Sequence, residues 1–147
     1  LILFNGVLAY IHSPVVIEAM LRNEAVHLGL HLALIVSALL MWWPVVGPIP
    51  EIPKLSPFMA MGYLFLQSLV PTIPASFLTF ASAPVYDVYT ELPRLWGLSV
   101  LDDQLIAGLI MKIGGGFFLW AVIGTIWFKW AAEEERSARR GPLIETS

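Results

Sequence analysis

His27 and His31 stand four residues apart in NEAVHLGLHLALIVSALLMWWPVVGP, residues 23–48. On a helix that spacing puts both imidazoles on one face, about 40° apart in azimuth and ~6 Å apart in height. Neutral imidazole is the commonest side-chain metal ligand. Such a pair can supply two of the three or four ligands that a metal needs. The alternative is that each ring hydrogen-bonds a neighbouring helix or a lipid headgroup.

A second stretch, DDQLIAGLIMKIGGG (residues 102–116), carries a stripe of different chemistry. Gln104, Gly108 and Met111 recur at i, i+4 and i+7, bordered by Asp103. Oxygen donors lie at the mouth of this stripe and a thioether lies deeper. Thioether with imidazole favours Cu(I) over harder cations. Met111 also reads as core filler, and Asp102 or Asp103 as a helix N-cap. Gly108 admits a close helix neighbour. Lys112 falls mid-helix, where a charge is expensive and is functional or paired. It either snorkels to the surface or meets an acid on a helix outside the chain. Gly114–Gly116 reads as a packing face or a local weak point. It is no phosphate loop, since the GK[ST] ending is absent.

The elements that must hold these residues are apolar. Of 147 residues 58% are hydrophobic and only 13% charged, with mean hydropathy +0.77. Soluble domains carry about 25% charged residues. The composition predicts an integral membrane protein and excludes a disulfide scaffold, since there is no cysteine. A net charge of −3 gives no reason to expect nucleic acid. Four apolar segments stand out: Leu1–Ile11, Glu24–Val46, Pro57–Ala81 and Leu101–Trp130. The first is too short to span, because spanning takes ~20 residues. It reads as the end of a helix whose beginning is missing, and the chain as the C-terminal part of a longer protein. No ~10-residue alternating strands suggest a barrel. The expected fold is all-α, a polytopic transmembrane helical bundle of three full helices plus one partial N-terminal helix. Residues 1–132 form its transmembrane domain and residues 133–147 a polar cytoplasmic tail. His12–Asn23 and Ser82–Val100 are expected as outer loops, and Pro71 and Pro74 as kinks in the third segment.

Lys54, Lys129, Arg136, Arg139 and Arg140 fall on one side of the membrane, Arg22 and Arg94 on the other. The positive-inside rule then puts the C-terminus in the cytoplasm. Trp42, Trp43, Trp127 and Trp130 suit the inner interface, and Tyr86, Tyr89 and Trp96 the outer one. His12, His27, His31, Asp102, Asp103 and Gln104 all fall at or just below the outer surface.

With LHLALIVSALLMWWPVVGP, SFLTFASAPVYDVY, RLWGLSVLDDQLIAGLIMKIGG and FKWAAEEER on the page, the chain resembles the CtaG family of cytochrome c oxidase assembly factors. The resemblance runs from about His12 to Arg136 and corresponds to the C-terminal half of the family's domain. It implies a multi-pass protein of the bacterial inner membrane that helps mature haem-copper oxidase, with copper bound or delivered on the outer face. His27 and His31 match the family's histidine pair, and Asp103, Gln104, Gly108 and Met111 its fourth-segment motif. His12 departs from the histidine-proline corner because Ser13 intervenes. The family's N-terminal histidines are absent, so a complete site needs further ligands. The expected metal set is His27, His31, His12 and Met111, supported by Asp103, Gln104, Gly108 and Lys112. Expected partners are the lipid bilayer and oxidase subunits or another membrane complex. The alternative is a structural accessory subunit without metal. No Ser-His-Asp arrangement or H-E-x-x-H occurs, so no enzyme is expected. Haem is not expected either: two histidines on one face cannot bind it from opposite sides, although His12 with either remains geometrically possible.

Overall fold

The computed structural model describes residues 1–47, 49–94 and 97–140. Trp96, assigned above to the outer belt, and the tail beyond residue 140 lie outside them. All the regular structure among these residues is helical: α1 (Ile2–Ile11), α2 (Pro14–Arg22), α3 (Glu24–Val46), α4 (Pro57–Leu69), α5 (Thr72–Phe80), α6 (Val100–Leu109) and α7 (Gly115–Arg140), with a 3₁₀ turn at Asp87–Thr90 and a π turn at Ile110–Gly114. Among the described residues three units are long and apolar enough to cross a membrane: Glu24–Val46, Pro57–Phe80 and Val100–Arg140. The α1–α2 pair, bent by 72°, makes a fourth if it counts as one broken span.

The segment His12–Asn23, expected as a loop, is mostly helix. Ser13 is extended at the N-cap position and Pro14 occupies the first turn, where its missing N–H is harmless. Val16 and Met20, four apart, turn inward and pack with Ile11 against Val7, Leu30 and Leu34. Glu18 and Arg22 pair on the exposed face at 2.9 Å. The i, i+4 pattern was present in the sequence but was shorter than the window that reveals a helix. At the next boundary the Asn23 side chain accepts hydrogen bonds from the N–H groups of Ala25 and Val26, starting α3.

At its far end α3 runs through Pro44 and stops at Gly47, whose φ of 58° is left-handed. Leu55 N–H then donates to the Pro44 carbonyl at 2.8 Å, folding the proline-rich loop back. The third span breaks at Val70–Pro71, between α4 and α5, as the prolines require. The last helix crosses residue 132 without interruption and ends at Arg140, so residues 133–140 extend the membrane helix by more than two turns. The N-cap of α6, where this last span begins, is Ser99 rather than either aspartate. The Ser99 hydroxyl donates to the Asp102 carboxylate at 2.6 Å and accepts from the Asp102 N–H at 3.1 Å, a reciprocal cap.

Burial is inverted relative to a water-soluble fold. Phe117, Phe80 and Phe128 are about three-quarters exposed, whereas Asn5, Ser37, Gln67 and Gln104 are buried. The two largest fully buried side chains are Leu64 and Gln67. Asn5 of α1 and Gln67 of α4 exchange amide hydrogen bonds at 2.8 and 3.3 Å. The Tyr63 hydroxyl of α4 donates to the Met41 carbonyl of α3 at 2.9 Å. Lipid already solvates apolar side chains, so helices associate through such hydrogen bonds and close packing.

Gly108 provides the closest packing. A Cβ there would lie 2.6 Å from Thr79 Oγ1 and 2.9 Å from the Ala75 carbonyl oxygen, on α5. Gly114, Gly115 and Gly116 meet nothing within 4 Å, so the packing reading of the triple glycine does not hold against the described helices. Gly108→Ala is expected to destabilise the detergent-solubilised protein by about 1–3 kcal/mol, as overpacking does. Gly115→Ala should be neutral or slightly stabilising. Thermal melts of the two variants check the contrast.

Candidate functional site

α1 and α3 run antiparallel, as do α5 and α6. The end of α1, the start of α3, the end of α5 and the start of α6 therefore gather at one end of the bundle. His12, His27, His31, Asp103 and Gln104 stand there together. They do not form one cluster. No group of three or more His, Asp or Glu with metal-holding geometry exists among the described residues.

His27 and His31 project from the first two turns of α3 and are both exposed. Their rings stack with centroids 4.6 Å apart and planes 19° apart. Neither ring makes a hydrogen bond to another described residue.

His12 sits at the α1–α2 corner. Its Nδ1 lies 2.7 Å from the Leu8 carbonyl oxygen, which makes Nδ1 the donor and leaves Nε2 outside that bond. This ring borders an open, mainly apolar cavity of about 860 Å³. Ala9 and Ser13 close one side of it, and Pro74, Phe77, Phe80 and Tyr86 are among those that line the other. No α3 residue lines it, so His12 and the His27–His31 pair face different spaces.

The fourth-segment stripe divides by role. Gln104 is buried, and both ends of its amide are used. Nε2 donates to the Leu78 carbonyl at 3.1 Å, and Oε1 accepts from the Val85 N–H at 2.6 Å. Gln104 therefore ties the start of α6 to the end of α5 and the chain beyond it. Asp103 is exposed and borders a smaller cavity of about 190 Å³ with Tyr86 and Tyr89. Met111 is half-buried in the π turn, two turns further into the span. The neighbour of Lys112, which the sequence did not name, is Phe80, with Nζ 5.4 Å from the ring centroid.

Tyr86 was read only as an interfacial aromatic, yet it joins these parts. It is buried, borders both cavities, and donates its hydroxyl to the His12 carbonyl at 3.0 Å. That bond spans 74 residues of sequence, so no local pattern announces it. Burial pushes the Tyr86 phenol above its ordinary range, and neighbouring Tyr89 adds to the shift. An acid whose folded pKa is raised stabilises the fold fully below its unfolded pKa. That stability is lost as pH rises through about 10 and beyond.

Three membrane-length helices wrapped around buried amides define the class as a polytopic α-helical membrane protein. Within that class, residues 1–133 match the family of the cytochrome c oxidase caa3 assembly factor, and the chain belongs to that family. It matches no curated protein and no solved structure.

Two substitutions probe this end of the bundle. Gln104→Leu strands the Leu78 carbonyl and the Val85 N–H, at about 1–3 kcal/mol for each group left buried without a partner. Faster amide exchange at Val85 is the expected readout. Tyr86→Phe should lower stability at neutral pH by about 1 kcal/mol. It should also flatten the loss of stability above about pH 10, measured as melting temperature against pH.

Proposed function

We propose that this assembly factor holds copper as cargo on the extracytoplasmic side and passes it toward haem-copper oxidase. The observation that carries the reading is the His27–His31 pair: two stacked, exposed imidazoles without a hydrogen-bond partner among the described residues. Metal–imidazole bonds are about 2 Å long. With ring centroids 4.6 Å apart, the two imidazoles are near enough for one nitrogen of each to share an ion after side-chain rotation. Two nitrogen donors suit low-coordinate Cu(I), and a half-filled ligand set lets a receiving site take the ion by adding ligands of its own. The residues present thus fit a transfer site better than a closed storage site.

Orientation supports the same reading. Lys54, Lys129, Arg136, Arg139 and Arg140 lie at the end of the bundle opposite the histidines. By the positive-inside rule we read that end as cytoplasmic and the histidines as extracytoplasmic, with a bacterial inner membrane as the proposed location. His12, facing a neighbouring cavity, and Met111, deeper in the span, are held as secondary ligands. Asp103, near the mouth, adds an oxygen donor.

The test is copper content after anaerobic Cu(I) loading of the full-length protein, compared with His27→Ala/His31→Ala. The wild type should retain roughly one copper per chain and the double variant at least tenfold less. Equal copper in both contradicts the proposal. Met111→Leu should keep most of the copper but release it faster to a competing chelator.

A further inference from the structure

Lys112 is the one Lys, Arg, Asp or Glu in the interior of the three membrane-length spans. Residues 25–50, 55–86 and 104–128 contain no other. It lies nine residues from Asp103 and seventeen from Lys129, about 14 and 26 Å along the helix. The three ion pairs among the described residues are Glu18–Arg22, Arg22–Glu91 and Glu135–Arg139, all outside the span interiors. Lys112 has no carboxylate partner among them. Its Nζ rests over Phe80, an aromatic face that is itself three-quarters exposed and offsets only part of the penalty of a charge in hydrocarbon.

Two further features fall at the same place. The helix changes to a π turn over Ile110–Gly114, an irregularity frequent at functional sites. One turn on, Gly115 and Gly116 present a surface with nothing within 4 Å of where a Cβ would be. In lipid, such a smooth surface is where another helix backbone comes closest.

We propose that Lys112 and the open glycines beside it form a docking face for a membrane-spanning partner helix carrying one Asp or Glu at the depth of Lys112. Charge complementarity identifies the partner. A solitary ammonium below the headgroups is best neutralised by a carboxylate that arrives already inside the membrane. Glycine lets the backbones approach closely enough for the two charges to meet. The cation–π contact with Phe80 holds the ammonium in place until that partner docks. The proposal is independent of the copper reading.

The experiment reconstitutes the full-length protein in phosphatidylcholine vesicles with a labelled Leu/Ala transmembrane peptide carrying a single central Glu or Gln. Association is followed by fluorescence energy transfer in the absence of copper. The wild type should bind the Glu peptide at least tenfold more tightly than the Gln peptide. Lys112→Met should abolish that preference and Lys112→Arg should keep it, with melting curves confirming that both variants fold. Gly115→Leu/Gly116→Leu should weaken binding of the Glu peptide several-fold. Equal binding of the two peptides by the wild type, or a Glu preference that survives Lys112→Met, overturns the proposal. So does a result in which added anionic lipid alone distinguishes the wild type from Lys112→Met, because Lys112 then snorkels to headgroups.

Discussion

The buried amides govern this structure. In water, the apolar surface of α3 or α7 would drive helices together. In a bilayer that drive vanishes, because lipid tails solvate leucine as well as another helix does. What remains is the requirement that polar groups away from water find partners. Gln104 meets it by bonding the Leu78 carbonyl and the Val85 N–H, and Asn5 and Gln67 meet it by bonding each other. Gly108, seated against Thr79 and the Ala75 carbonyl, brings α6 close enough for the Gln104 amide to reach α5.

From these clamps follows the arrangement of the end that carries the histidines. Gln104 and the Tyr86 hydroxyl tie the end of α5, the following loop and the α1–α2 corner together. His12 is positioned by that network, and its ring is oriented by the Leu8 carbonyl. The start of α3 is held differently: its inner face packs on Val16 and Met20 of α2, and its other face stays open. His27 and His31 occupy the open face. The proposed copper transfer needs ligands on a rigid element that are also reachable by a partner, and the first turns of a long capped helix meet both needs.

Much of this was legible in the sequence because the membrane restricts what a sequence can mean. Spans announce themselves by length and apolar content, and their ends by Asn23, Gly47 and the prolines. Gly108 and Gln104 were recognisable because small and polar residues within a span are rarely incidental. The roles of the amide partners were not legible. Gln67 reads as one polar residue among many until the fold brings Asn5, 62 positions away, beside it. Helix α2 was hidden by its nine-residue length, too short for a clear periodicity and placed where a loop was expected. The reciprocal Ser99–Asp102 cap was obscured because Asp102 and Asp103 are each good caps themselves. Ala131–Arg140 remains helical although polar, since alanine, glutamate and arginine all favour helix and nothing in that stretch breaks it. The histidines were visible by type and spacing, but only the fold shows that His12 faces a different space from the His27–His31 pair.

The central claim is that the exposed histidine pair carries copper to the oxidase. The most direct measurement is the copper-to-haem ratio of the oxidase purified from cells whose only copy of this protein carries His27→Ala/His31→Ala. The account expects haem at the wild-type level with copper well below stoichiometric. An oxidase with its full complement of copper from those cells would contradict it.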